Sequence, residues 1–196
     1  FFIRPRRFGK SLTMSMLRHY YDINQTDKFD SLYGDLYIGK HPTPNHNKYL
    51  IIYLNFAVVN ADLGNYRSAL DAHCRTEFTI LCDRYSSLLP SNLKENLMKE
   101  DGAVKQLDIL YKVANEVGLK IYLFIDEYDH FTNHILSDAA RLDEYKGETH
   151  GTGYLRTFFD TIKAGTDSSI ERVFITGVSP VTLDDLTSGF NIGTNY

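Results

Sequence analysis

Three short apolar runs constrain the fold of this chain more than any other feature of its sequence. They are YLIIYLNF at 49–56, IYLFI at 121–125 and RVFIT at 172–176, and each contains β-branched or aromatic residues between polar flanks. Continuous apolar runs of this kind are typical of strands that are buried on both faces of a sheet. A shorter run, FFI at 1–3, indicates the end of another strand at the start of the chain.

The segments between the runs carry the apolar spacing of helices, at about 11–22, 66–86 and 103–117. In the first of these, the residues predicted to share one face are Thr13, Met16, Leu17 and Tyr20. Strands separated by helices favour parallel pairing, because parallel neighbours need crossover connections. The sequence therefore predicts an α/β fold, a three-layer sandwich with a largely parallel central sheet flanked by helices.

Composition sets the class of protein but not its chemistry. The 196 residues, of which 43% are hydrophobic, predict one globular domain, and the net charge of −4 favours neither nucleic acid nor a membrane surface. No run approaches the roughly 20 apolar residues of a membrane span, so we expect a cytoplasmic location and no membrane contact. Cys74 and Cys82 lie on one predicted helix, about 12 Å apart along its axis, and cannot form a disulfide there.

The strongest local motif is RPRRFGKS at 4–11, which lies between the first predicted strand and the first predicted helix. In a phosphate-binding loop, backbone N–H groups surround the phosphates, a lysine reaches the β- and γ-phosphates, and a serine or threonine binds Mg²⁺. Lys10 and Ser11 match these two side chains, whereas Arg4 stands where the usual pattern has glycine. The residues predicted to bind the nucleotide are Arg7, Phe8, Gly9, Lys10, Ser11 and Leu12.

Two alternatives apply to this loop. Gly9, Lys10 and Ser11 also fit a simple loop in which the serine caps a helix and the lysine is solvated, but the flanking strand and helix favour the phosphate loop. The arginines at 4, 6 and 7 either add positive charge to the phosphate site or form a solvated basic loop, and we expect the second for at least one of them.

A second motif follows the run at 121–125, which stops abruptly at Asp126 and Glu127. In P-loop ATPases an aspartate at such a strand end serves Mg²⁺ and an adjacent glutamate orients or activates the attacking water. Asp126 and Glu127 are assigned these roles, and the alternative is a charged turn that ends a buried strand. Asp129 is interpreted as the N-cap of a following helix, and the alternative is a residue that supports the direct metal ligands.

A third polar strand end completes the predicted site. Thr176, with Ser179 beyond it, would place a hydroxyl beside the γ-phosphate, as a sensor group does in ATPases that have an extra strand between the two motifs. An ordinary threonine at a strand end explains the same pattern. The predicted catalytic residues are Lys10, Glu127 and Thr176, and the predicted metal ligands are Ser11 and Asp126.

Taken together, RPRRFGKS, FIDEYD and TGVSPVTLDDLTSGFNI resemble the AAA-ATPase-like family of bacterial proteins over essentially the whole chain. The resemblance implies a P-loop ATPase that binds ATP and Mg²⁺ and hydrolyses ATP. Many members also carry a C-terminal nuclease-like domain of the PD-(D/E)xK type. We therefore expect residues 1–196 to be a P-loop domain truncated at both ends, without the start of its first strand and its C-terminal lid. Nucleic acid would be a partner through the missing domain, and a homo-oligomer stays open.

Two other functions compete with an ATPase. Because Arg4 replaces the usual glycine, the chain could instead be an ATP-binding, DNA-associated scaffold or regulatory module with little turnover. Nuclease activity within this chain would use the E-x-K pattern at Glu144 and Lys146 with Asp129 upstream. That pattern lies in a polar stretch that runs into a glycine-rich loop, where a solvated surface is the simpler interpretation.

Overall fold

The structure, a computed structural model, describes residues 1–59, 66–130 and 153–178, and a four-stranded sheet lies at their centre. The strands are β1 (Phe2–Ile3), β2 (Tyr49–Asn55), β3 (Lys120–Asp126) and β4 (Ile170–Gly177). Their order across the sheet is β1-β4-β3-β2, and every neighbouring pair is parallel. The parallel sheet predicted from the apolar runs is confirmed, and β4 is the extra strand between β1 and β3.

The strand register brings the carboxyl ends of all four strands to one edge of the sheet. Asn55 at the end of β2 is opposite Asp126 at the end of β3. Phe2 of β1 is opposite Thr176 near the end of β4. In open α/β sheets, ligands bind outside this carboxyl edge, so the fold gathers the three predicted motifs where a ligand site is expected.

Helices cover both faces of the sheet. They are α1 (Lys10–Tyr21), α2 (Phe29–Tyr33), α3 (Tyr37–Lys40), α4 (Tyr66–Arg84), α5 (Leu93–Lys99), α6 (Ala103–Glu116) and α7 (Tyr154–Thr166). Short 3₁₀ segments lie at Ile23–Lys28 and Phe56–Val58. Helix α1 packs on one face against β2 and β3, while α4, α6 and α7 pack on the other, which gives the expected three-layer sandwich. No helix in the described ranges is both long enough and apolar enough to cross a membrane.

The buried face of α1 differs from the one predicted. Met14 is 1% exposed and packs with Tyr122 and Phe124 of β3, whereas Met16 is 47% exposed. Of the four residues predicted to share one helical face, Met16 alone is exposed. The reason is that Lys10, which an apolar pattern ignores, is itself buried and begins the inward-facing row.

The outer edge of β2 is satisfied by side chains from the α4 side of the fold. The backbone N–H of Ile51 donates to the Tyr85 hydroxyl at 3.0 Å, and that of Asn55 donates to Nε2 of His73 at 3.2 Å. Cys74 and Cys82 lie on one helix, α4, as predicted, and the structure shows both as buried free thiols. The Tyr85 hydroxyl and the His73 ring therefore cover a strand edge that would otherwise expose unpaired backbone groups.

Candidate functional site

The basic loop connects β1 to α1 and ends in a left-handed glycine. Gly9 has φ +74° and caps α1, where its carbonyl accepts the Thr13 N–H at 2.9 Å. A Cβ placed on Gly9 would have no atom within 4 Å, so the backbone angle and not the space favours glycine. Arg7 is also left-handed, with φ +69°, while Arg4 is not. The loop therefore turns through Arg7 and Gly9 rather than at the position of the missing first glycine.

Lys10, the first residue of α1, has its ammonium inside the loop. The side chain is 5% exposed, and Nζ donates to the carbonyl oxygens of Arg4 at 3.0 Å and Pro5 at 3.3 Å. Nζ also lies 3.8 Å from Oε1 of Glu127, which follows β3. The structure thus brings together two residues that were assigned to one site from separate motifs.

A pocket of about 330 Å³ opens at this point. It is lined by Arg6, Arg7, Gly9, Lys10, Ser11, Leu12 and Glu127. Five of the six residues predicted to bind a nucleotide are among them, and the sixth, Phe8, is 66% exposed and lies outside the lining. The Arg4 guanidinium instead donates to the Ile3 carbonyl at 2.9 Å and lies 5.1 Å from the centre of the Phe2 ring.

Asp126, the last residue of β3, is a buried carboxylate bound by two hydroxyl groups. It is 3% exposed. Thr176 donates to Oδ1, and Tyr53 donates to Oδ2 at 3.3 Å. Among the described residues, no lysine, arginine or histidine pairs with it. Buried charges are normally paired or hydrogen-bonded, and here the hydroxyl groups of Thr176 and Tyr53 supply the hydrogen bonds.

Glu127 turns away from the strand with a left-handed backbone, φ +54°. A non-glycine residue in this region carries strain of about 1–3 kcal/mol, and such residues cluster at functional sites. The turn separates two adjacent carboxylates, because Asp126 stays buried while Glu127 lines the pocket with its side chain 27% exposed.

At the end of β4, Gly177 lies very close to the helical turn at 128–130, which follows β3. A Cβ on Gly177 would lie 2.4 Å from the Tyr128 ring, so only glycine fits there. The interpretation of Asp129 as an N-cap was wrong: it lies inside the helical turn at 128–130, and its carboxylate accepts the Val178 N–H at 2.9 Å. Ser179, the pattern at 144–146 and the ending SGFNI lie outside the described residues.

A family model described as "Predicted AAA-ATPase" matches residues 1–187 and so spans the loop, the acidic strand end and β4. The chain belongs to the AAA-ATPase-like family. No curated protein and no solved structure matches it. The family consists of predicted ATPases, and membership in it supports an ATPase-like function in general terms. The parallel sheet with helices on both faces agrees with a P-loop NTPase-like fold.

One residue of this AAA-ATPase-like site was missed by sequence reasoning. Tyr53 lies in the apolar run of β2, and its hydroxyl reaches Asp126. Burial, together with the neighbouring Asp126 carboxylate, raises the pKa of Tyr53 to about 12, so its hydroxyl is a donor at neutral pH. The available signal was a tyrosine hydroxyl close to the carboxyl end of a strand that was predicted to be buried on both faces.

Proposed function

We propose that the chain binds Mg-ATP in the pocket beside Lys10 and hydrolyses its β–γ phosphoanhydride. The observation that carries this proposal is that Lys10 and Glu127, which belong to two distant motifs, line one pocket with their charged groups 3.8 Å apart. The pocket lies at the carboxyl edge of the parallel sheet. Its volume of about 330 Å³ is at the lower end of the range of ligand pockets.

The triphosphate would be held by the loop and the first turn of α1. Backbone N–H groups at a helix N-terminus point at a bound anion, and the helix dipole adds favourable charge there. Lys10 adds a buried ammonium, while Arg6 and Arg7 add guanidinium groups to the pocket lining. These groups together supply the positive charge that a triphosphate requires.

The donor groups proposed for the metal side are a hydroxyl and a carboxylate, which are oxygen ligands of the kind that Mg²⁺ takes. This ion is usually held by one or two carboxylates together with phosphate oxygens and water. Ser11, which lines the pocket, would supply the hydroxyl, and Asp126, which is buried and outside the lining, would supply the carboxylate. Within the described residues, no group of three or more His, Cys, Asp or Glu could hold a metal ion. When bound, Mg²⁺ would neutralise charge on the β- and γ-phosphates.

Glu127 is the proposed base that orients the attacking water. Its carboxylate lines the pocket, and its backbone turn separates it from the carboxylate assigned to the metal. Thr176 is fully buried and donates to Asp126. Its sensor role beside the γ-phosphate stays a prediction, and its contact supports a role in holding Asp126.

Two measurements on the purified chain test the proposal. At a concentration of 100 times its Kd, Mg-ATP should stabilise the fold by about 2.7 kcal/mol, which is measured as a thermal shift against Mg²⁺ alone. Steady-state phosphate release then tests hydrolysis. A folded sample that shows no shift with Mg-ATP would refute nucleotide binding.

A second candidate, an ATP-binding scaffold or regulatory module with little turnover, is favoured by the loop itself. Arg4 replaces the first glycine, and the left-handed turn is made by Arg7 instead. The scaffold would be favoured over the ATPase if the wild-type chain shows the full thermal shift with Mg-ATP but releases phosphate no faster than a Glu127→Gln variant.

A further inference from the structure

The edge strand β2 reaches the candidate metal ligand through one side chain. Tyr53 is opposite Phe124 of β3, and Asn55 is opposite Asp126. Because side chains alternate along a strand, Tyr53, Phe124 and Asp126 all face the α1 side of the sheet. The Tyr53 hydroxyl thereby donates diagonally to Oδ2 of Asp126 at 3.3 Å.

The ring of Tyr53 is held from its other side by α1. The guanidinium carbon of Arg18 lies 3.8 Å from the centre of the ring, which is the geometry of a cation–π contact. Nε of Arg18 is buried and has no hydrogen-bond partner among the described residues. Stacking on Tyr53 is therefore a principal contact of this guanidinium. Arg18 lies on α1, the helix that follows the basic loop.

Both oxygens of Asp126 are thus engaged by hydroxyl donors from the two strands beside β3. Thr176 of β4 donates to Oδ1, and Tyr53 of β2 donates to Oδ2. An ionised carboxylate offers about four lone-pair positions, so two remain for a cation. Two donors on opposite oxygens fix the rotation of the carboxylate in a way that one donor cannot.

We propose that Tyr53 is a positioning residue that orients Asp126 for Mg²⁺, and that Arg18 holds the Tyr53 ring in place. This inference rests on the proposed function, because it concerns the same metal. It also links α1 to the metal carboxylate through the contacts from Arg18 to Tyr53 and from Tyr53 to Asp126. Outer groups that orient metal ligands typically contribute 10- to 100-fold to metal affinity or activity.

The test is a Mg²⁺ titration of nucleotide binding at fixed ATP, with a parallel titration in EDTA. Tyr53→Phe removes the hydroxyl and keeps the ring, and it should raise the Mg²⁺ concentration for half-maximal binding by about 10-fold. Affinity for ATP in EDTA should be unchanged. Tyr122→Phe is the matched control, because Tyr122 lies on β3 facing the same side of the sheet and packs among aromatic rings.

Arg18→Lys tests the second part, since lysine keeps the charge and loses the planar group that stacks. It should shift the Mg²⁺ requirement in the same direction, and combining it with Tyr53→Phe should add no further shift. Equal Mg²⁺ requirements for wild type, Tyr53→Phe and Tyr122→Phe would overturn this inference alone. A wild-type chain that binds ATP without any dependence on Mg²⁺, or not at all, would overturn the proposed function and this inference with it.

Discussion

The ammonium of Lys10 lies 3.8 Å from a carboxylate oxygen of Glu127. The lysine side chain is 5% exposed and the glutamate side chain 27%, so the pair is shielded from much of the solvent. The same ammonium donates to the carbonyls of Arg4 and Pro5. One cation thus joins the basic loop to the acidic strand end, and a change at either residue alters the electrostatics of the other.

Lys10→Ala should weaken ATP binding more than ADP binding, because the ammonium is expected to reach the β- and γ-phosphates. Hydrogen bonds to charged groups contribute about 1.5–3 kcal/mol, which corresponds to a loss of roughly 10- to 100-fold in ATP affinity. Calorimetric titration with each nucleotide in Mg²⁺ measures the two losses.

The matched control for this change is Lys48→Ala. Lys48 is exposed and precedes β2, at the opposite edge of the sheet from the pocket. The Lys48→Ala variant should bind ATP and ADP with the affinities of the wild type. Equal losses for ATP and ADP in Lys10→Ala would contradict the placement of the ammonium beside the γ-phosphate.

Thr176→Val should lower the free energy of unfolding by about 1–3 kcal/mol, because it leaves Oδ1 of a buried carboxylate without its donor. Valine keeps the shape of the side chain, so packing is a minor part of the loss. Urea unfolding measures the change, and the slope of the unfolding free energy against urea concentration should be the same as in the wild type. Thr176→Ser retains the hydroxyl and should recover most of the loss, and a serine variant as unstable as the valine variant would argue for packing instead.

His73 should make the fold less stable as pH falls. Its Nε2 accepts the Asn55 N–H, which requires a neutral ring, and burial lowers the pKa of His73 below its ordinary value of 6.5. Between the lowered pKa and 6.5 the unfolded chain binds more protons than the folded chain, so stability decreases as pH drops through this window. Above it the contribution is fully present.

Urea unfolding of wild type and His73→Gln across this pH window isolates that contribution. The glutamine oxygen can accept the same N–H without titrating, so the variant should show a flatter decline at low pH. His41→Gln, which changes an exposed histidine beyond α3, should keep the wild-type slope. Parallel pH profiles for wild type and His73→Gln would show that His73 does not titrate differently in the folded state.

The strands could be predicted because their cause is local. A strand buried on both faces must be apolar throughout, and the runs at 49–56, 121–125 and 172–176 match β2, β3 and β4 to within two residues at each end. The positions of the basic loop before α1 and of the acidic pair at the end of β3 could also be predicted, because each motif is contiguous in the sequence.

The remaining features depend on positions that are far apart in the chain. Tyr53 reaches Asp126 only because the register places Asn55 opposite that aspartate, and no pattern within either strand sets this register. The burial of Lys10 at the start of α1 was not predicted, because its ammonium is satisfied by loop carbonyls that a hydropathy pattern does not include.

Glu127→Gln and Asp126→Asn should fail in different ways, because the turn at Glu127 sends adjacent carboxylates into different surroundings. Glu127→Gln keeps size and hydrogen bonding but removes the base, so ATP affinity should persist while hydrolysis falls by roughly 10²–10⁴-fold. Asp126→Asn removes the charge from the metal side and should impair Mg²⁺-dependent ATP binding itself. Nucleotide affinity and single-turnover hydrolysis, measured on both variants, separate the two roles. If Glu127→Gln hydrolyses ATP at the wild-type rate, Glu127 is not the base. Its contact with Lys10 would then be structural, and the strained turn that carries it would need another explanation.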